Sequence, residues 1–404
     1  MGESTLIGTT TGRKPIYIPD DAKHVGVFGT TGAGKTVALA NFVKSAIDKE
    51  YPLLIVDGKG DIGEGSLLDI VTRLKGTRKL YAINLTDSES SDKYNPFRNS
   101  TPTVIKDMLI NMTTWSEEHY KLNTERYLQR VVSVLDKLNV EISFDIIIKA
   151  LNTGTFIEYS AKLLVQDLIT KEQHQDNINL SESIGKIAES AVARFATIAE
   201  SEIGHILSED GVDIHSSLQE NAIILFILNP MLYPELSPAF GRLVLIDSKQ
   251  AVNKSFSDKR RKFFIYDEVS SYASTSLLDL VNKSRSANVT CVLATQSLSD
   301  LDVVSEHFKE QVIENCNNYI ILRQNSHANA EHLASILGTR QTMDITYQLQ
   351  QGGMNVSETG MGSARRTREF LYHPDEIKVL GTGKGIFLSK DSNYHSRIII
   401  NKPF

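Results

Sequence analysis

The sequence predicts an α/β protein: a largely parallel sheet flanked by helices and interrupted by an all-α insertion. Short apolar runs with strand character recur at residues 25–28, 53–56, 80–83, 222–228, 263–266, 289–294, 319–322, 385–388 and 397–400. Most are apolar throughout rather than alternating, as strands buried on both faces read, and helical stretches separate several of them. Between about Thr101 and Ser216 no such run stands out, and apolar residues fall at helical spacing. The expected division is residues 1–100 and 217–404 as two parts of one nucleotide-binding domain, with 101–216 inserted. A chain of 404 residues is too long for one ordinary domain and suits such an arrangement.

In chain order, the first run ends in the most informative element. Residues 29–36 read Gly29-Thr30-Thr31-Gly32-Ala33-Gly34-Lys35-Thr36. This is the G-x-x-x-x-G-K-[ST] phosphate-binding loop, set between an apolar strand and a stretch from Val37 that suits a helix. Gly29, Gly32 and Gly34 let the backbone turn its N–H groups around phosphates, and the positive end of the following helix adds to the attraction. The loop through Val37 is expected to cradle ATP. Lys35 is expected to reach the β- and γ-phosphates, and Thr36 to offer its hydroxyl to Mg²⁺.

The second strand ends in Asp57-Gly58-Lys59-Gly60-Asp61. These charges read equally as ligand-side residues at the sheet's carboxyl edge and as solvated charges of a glycine turn. The helical block follows. Residues 105–138 carry Tyr127, Leu128, Val131, Val132, Val134, Leu135 and Leu138 in helical step, and 144–151, 161–169 and 184–207 read similarly. Asn152-Thr153-Gly154 and Asp210-Gly211 read as turns. Residues 263–268, Phe-Phe-Ile-Tyr-Asp-Glu, form an apolar strand ending in two acids, the Walker B pattern. Asp267 is expected to hold Mg²⁺, and Glu268 to polarise the attacking water as general base. Neighbours on a strand point to opposite faces, so a turn must let both reach one site. Gln296 closes another strand and is expected to sense the γ-phosphate or orient water. Arg285, between them, is the first candidate for a guanidinium acting on a neighbouring subunit's nucleotide. The segment 350–366, rich in Gly and small polar residues, is expected to be a mobile loop.

Composition sets further bounds. Hydrophobic residues make up 41%, enough for a proper core, and the net charge of −6 excludes a polycation that coats nucleic acid. Two cysteines, Cys291 and Cys316, fit a reducing cytosol and simple burial. No stretch of about 18 apolar residues occurs and the polar start lacks a signal-peptide core, so a cytoplasmic chain without a transmembrane segment is expected. Length, the adjacent acid pair and the lack of an Asn-Lys-x-Asp stretch argue against a small kinase or a GTPase.

Taken together, these residues resemble the FtsK/HerA superfamily of P-loop ATPases, and within it the soluble ATPase portion of type IV coupling proteins of the TraD/TraG kind. His24 to Thr36 resembles the family's His-led strand and phosphate loop. Asp57 to Asp61 resembles its Asp-Pro-Lys-Gly-Glu turn, with Gly58 for Pro and Asp61 for Glu. Tyr94-Asn95-Pro96-Phe97 resembles the stretch before the family's all-α domain. Phe264 to Glu268 matches its Walker B, while Gln296 to Leu301 and Pro374 to Ile377 resemble two further motifs. The resemblance implies a RecA-like fold and a hexameric homo-oligomeric ring that hydrolyses ATP with Mg²⁺ and translocates DNA, in conjugation or other mobile-element transfer. It also implies relaxosome, secretion-channel or separate membrane partners, so that peripheral attachment to a membrane is the alternative location. Coupling proteins usually begin with membrane helices, and this chain departs from that. Arg365, Arg366 and Arg368 are candidates for the trans role or for DNA phosphates; residues 254–262, with Lys259, Arg260, Arg261 and Lys262, read either as a solvated face or as DNA-binding. Rival readings are a protein-translocating secretion ATPase, a nucleotide-gated scaffold and the motor of a phage-defence complex.

Overall fold

The computed structural model describes residues 3–115, 117–352 and 355–403, with the backbone alone at 185–191, 346–352 and 355–363. Thirteen strands are described: β1 (Ser4–Thr10), β2 (Pro15–Pro19), β3 (His24–Phe28), β4 (Leu53–Asp57), β5 (Leu80–Asn84), β6 (Ile223–Ile227), β7 (Lys262–Asp267), β8 (Val289–Thr295), β9 (Cys316–Ile321), β10 (Thr339–Gly352), β11 (Asn355–Phe370), β12 (Lys384–Ser389) and β13 (Tyr394–Ile400). Among the described residues eleven form one sheet in the order β2-β1-β13-β12-β9-β3-β8-β7-β4-β6-β5. From β9 to β5 every pairing is parallel. Beyond β9 the pairings turn antiparallel through β12, β13, β1 and β2.

The apolar runs follow from burial on both faces. Leu54, Val56, Phe264, Tyr266 and Leu293 join the core on one face, while Leu53, Ile55, Phe263, Ile265 and Val292 join the core on the other. Period-two alternation therefore has no polar phase to show. The second face is covered by helix Lys35–Asp48 and helix Leu67–Leu74. The first is covered by helices 236–254, 275–284, 308–315 and 327–337, together with the block inserted between β5 and β6. Within that block the described elements are helical: Pro102–Met112, Glu118–Lys137, Phe144–Leu151, Thr153–Val165, Lys171–Ala199 and Ile214–Gln219, with a short 3-10 turn before the last.

Several local expectations are corrected. The pattern expected over 105–138 is two helices, and the helices expected at 161–169 and 184–207 start earlier. Asn152, expected in a turn, is the N-cap of Thr153–Val165 and accepts from the Gly154 and Thr155 N–H groups. Thr170 and Gln173 form a capping box that starts Lys171–Ala199, a signal that the polar first turns had hidden. The strands β1 and β2 escaped notice because they lie in the antiparallel margin of the sheet, where the edge strand β2 alternates buried and exposed residues and β1 is only partly buried. The loop expected at 350–366 also requires correction. It runs in β10 and β11, an antiparallel ribbon paired from Thr339↔Phe370 to Gly352↔Asn355 with a register shift between Tyr347 and Leu349. Residues 353 and 354 of that stretch lie outside the described residues. A ribbon outside the main sheet has no core face to impose apolar alternation, so its composition reads as loop.

Candidate nucleotide-binding site

Five of the six chemically active groups singled out above, Lys35, Thr36, Asp267, Glu268 and Gln296, meet at the carboxyl edge of β3, β7 and β8. The loop is built by its neighbours. The Gly29 and Thr30 N–H groups donate to the carbonyls of Thr295 and Arg323, 3.3 and 2.9 Å away, at the ends of β8 and β9. Gly32 and Gly34 have φ of 72° and 109°, values that favour glycine. A Cβ on Gly34 would lie 3.2 Å from the Gly383 nitrogen. The Gly383 N–H in turn donates to the Ala33 carbonyl at 3.0 Å, and the Thr382 hydroxyl to the Gly32 carbonyl at 3.1 Å. Helix Lys35–Asp48 starts directly from this turn.

Lys35 is buried and its Nζ donates to the Gly29 carbonyl at 2.6 Å. That nitrogen lies 3.8 Å from Glu268 Oε2. Burial lowers the Lys35 pKa, with the Glu268 charge acting in the opposite direction. Asp267, at the end of β7, is 1% exposed; its Oδ2 accepts from Lys59 Nζ at 2.6 Å. The same ammonium lies 3.4 Å from Thr36 Oγ1. Burial works against the charge on Lys59, but Asp267, Asp57 and Glu268 together outweigh it and raise the pKa. Asp57 is paired with Asp267 across β4 and β7 and is pushed up to about 7 by burial and by that like charge.

Glu268 takes φ 47° and ψ 46°, the left-handed region. This single residue solves the strand-end problem: it turns the second carboxylate back toward the loop. Its Oε1 accepts from the Gln296 N–H at 3.2 Å, while Oε2 is buried without a hydrogen-bond partner among the described residues. Gln296 Oε1 accepts from the Thr31 hydroxyl at 2.7 Å, tying the end of β8 to the loop.

Arg285 lies elsewhere. It is exposed, just before β8, and close enough to His24 to lower its pKa alongside the larger effect of burial. His24 begins β3, so Arg285 sits at the amino edge of the sheet, roughly 15 Å along the strands from its own chain's loop. His24 itself is a satisfied core residue: Nδ1 accepts from the Cys291 N–H at 3.1 Å, and Nε2 faces the Val281 carbonyl at 2.7 Å as the donor that this pairing requires. Both cysteines are buried, which pushes each thiol up to about 12.

The basic stretch 254–262 is solvated at Lys259 and Arg260 but not at Lys262. Lys262 is fully buried and donates to the carbonyls of Asp258, Arg260 and Ala287, while Arg260 grips Asp258. Arg365, Arg366 and Arg368 are exposed on β11. Sequence reasoning left Lys59 undecided and missed Arg323. The signal for Arg323 was present, since it follows the apolar run 319–322 as Gln296 follows its own. Contact of Thr382 and Gly383 with the loop had no local signal at all.

A family model described as "Helicase HerA, central domain" matches residues 6–226. A second, described as "TraM recognition site of TraD and TraG", matches residues 261–381. Among solved structures, the unbound bacterial conjugative coupling protein TrwBdeltaN70 superposes with a TM-score of 0.71 at 16% identity, over 98% of this chain and 88% of that one. TrwB in complex with the non-hydrolysable ATP analogue ADPNP gives 0.68 at 18% identity, over 98% and 89%. VirB4 of Thermoanaerobacter pseudethanolicus gives 0.62 at 12% identity, over 99% and 97%. An uncharacterized protein of Mycoplasma pneumoniae is 30% identical over 123 residues, 23% of this chain and 97% of that protein.

Proposed function

We propose, from the premise that this chain belongs to the HerA-helicase central-domain family and is TraD/TraG-like in fold, that it is an ATP-hydrolysing ring motor that translocates DNA. The observation that carries the reading is the convergence of Lys35, Thr36, Asp267, Glu268 and Gln296 on one cradle. Residues 29–37 hold the triphosphate, with Lys35 on its β- and γ-phosphates. Thr36 and Asp267 fit Mg²⁺: their oxygens already flank one cation, the Lys59 ammonium. The described residues hold no cluster of three or more His, Cys, Asp or Glu of metal-cage type. A Mg²⁺ ion held by one or two protein oxygens plus phosphates needs none. The bound ion supplies charge neutralisation at the phosphates. Glu268, with one oxygen fixed by the Gln296 N–H and the other facing the Lys35 ammonium at 3.8 Å with no hydrogen-bond partner among the described residues, takes the proton of the attacking water. Gln296, fastened to Thr31, reports whether the loop is filled.

Arg285 completes a neighbour's site rather than its own, which its exposure and its place at the far edge of the sheet support. A homo-oligomer, hexameric by family resemblance, provides that neighbour. Residues 101–216, packed on the sheet between the portions 1–100 and 217–404, serve as the all-α recognition domain. The match to a TraM recognition site supports a relaxosome-type protein partner for the second half. No helix among the described residues is long and apolar enough to cross a membrane; the motor proposed is cytoplasmic, or attached to a membrane through a partner.

The test is ATP hydrolysis with and without single- and double-stranded DNA, on material of measured solution mass. DNA stimulation is expected, and Glu268→Gln should keep ATP binding while losing hydrolysis by about 10²-fold or more. Fast hydrolysis by a monomer without DNA would sink the motor reading, whereas an oligomer whose hydrolysis is indifferent to DNA would favour protein cargo.

A further inference from the structure

We infer that Lys59 is a tethered cation competing with Mg²⁺ for Asp267 and Thr36, so that metal binding becomes dependent on nucleotide. This rests on the nucleotide site proposed above and specifies how it is controlled. Asp57 and Asp267 stand side by side at the ends of β4 and β7, at 2% and 1% exposure. Two buried carboxyl groups on neighbouring strand ends favour a compensating positive charge beside them. The turn after β4 delivers one. Asp57 Oδ1 accepts from the Lys59 N–H at 2.9 Å, Gly60 turns away with φ 75°, and the Lys59 side chain returns to Asp267 Oδ2 at 2.6 Å and Thr36 Oγ1 at 3.4 Å.

One ammonium therefore touches both protein oxygens suited to the metal. A divalent ion and an ammonium within about 4 Å of each other repel strongly in a partly buried site. For the metal to reach both oxygens, Lys59 must leave. It is free to do so, because its side chain is 30% exposed and its stem is flexible. Lys35 has no such freedom, being held on the Gly29 carbonyl at 3% exposure. The phosphates of a nucleotide give the displaced ammonium a new partner. By linkage, a nucleotide that draws Lys59 off raises metal affinity, and metal raises nucleotide affinity by the same factor.

The experiment titrates Mn²⁺ by electron paramagnetic resonance against the full chain, with and without the imido analogue of ATP. Lys59→Gln should tighten nucleotide-free Mn²⁺ binding by about ten-fold or more and shrink the Mn²⁺–analogue coupling by the same factor. Lys59→Arg should stay near wild type, and adding Asp267→Asn to Lys59→Gln should restore weak binding. If Lys59→Gln leaves Mn²⁺ affinity unchanged or weaker in a chain that melts normally, Lys59 only neutralises the acid pair and the inference is wrong. Should Lys59→Gln fail to fold, Asp57→Asn against Asp57→Asn/Lys59→Gln carries the same expectation, with one buried carboxylate removed along with the cation. Binding of the analogue with a coupling indifferent to Lys59 overturns this inference alone. No binding of the analogue by any of these chains overturns the motor reading as well.

Discussion

Glu268 shows how one backbone conformation decides chemistry. Its left-handed φ of 47° lets two consecutive carboxylates face one site, which strand alternation forbids. The acid pair was legible in the sequence; the turn that makes it useful was not, because a non-glycine residue takes that conformation only where surrounding contacts hold it. A second buried carboxylate has consequences for stability. Asp247 is enclosed beneath the sheet, accepts from the Tyr94 hydroxyl at 2.7 Å, and is pushed up to about 7, chiefly by burial. The folded state therefore keeps a proton that the unfolded chain releases near pH 4. Stability from this group is present below pH 4 and lost as pH rises toward 7. Asp247→Asn should flatten that decline: between pH 5 and 7 its melting temperature should fall by less than that of wild type, and equal slopes would assign the decline to other groups.

At the scale of elements, the phosphate loop is shaped as much by the chain's end as by its own glycines. The segment Thr382–Gly383 closes over Gly32, Ala33 and Gly34. Gly34→Ala combines a strained φ of 109° with a Cβ 3.2 Å from the Gly383 nitrogen. A cost of about 1–3 kcal/mol is expected, read as a lowered melting temperature together with weakened nucleotide binding. The ribbon β10–β11 behaves oppositely: it stands outside the main sheet. Replacing Arg365, Arg366 and Arg368 by Ala should leave nucleotide affinity unchanged, weaken DNA binding and reduce its salt slope by up to about 3. An unchanged slope would remove these arginines from the DNA surface. Parallel strands and the phosphate loop were readable because burial and phosphate chemistry both leave local patterns. Ribbon and edge strands were not, because pairing without a two-sided core leaves none.

For the whole molecule, the position of Arg285 sets the decisive prediction. Within one chain it lies at the sheet edge away from the loop, so hydrolysis should require a neighbour. Lys35→Ala and Arg285→Ala should each be inactive alone, and mixing them should restore a fraction of wild-type hydrolysis through sites that pair an intact loop with an intact arginine. No recovery in mixed oligomers of verified mass would take Arg285 out of the mechanism. The amino-acid order alone determined the sheet class, the helical insertion, the phosphate loop, the acid pair and Gln296, since each is a contiguous stretch whose chemistry depends on near neighbours. Tertiary structure decided the rest. It set Lys59 on Asp267, Thr31 on Gln296, Arg323 beside Thr30 and Gly383 on the loop, and it sank Lys262 into a structural network. Those contacts join residues distant in sequence, and no local pattern encodes which strand ends a folded sheet will bring side by side.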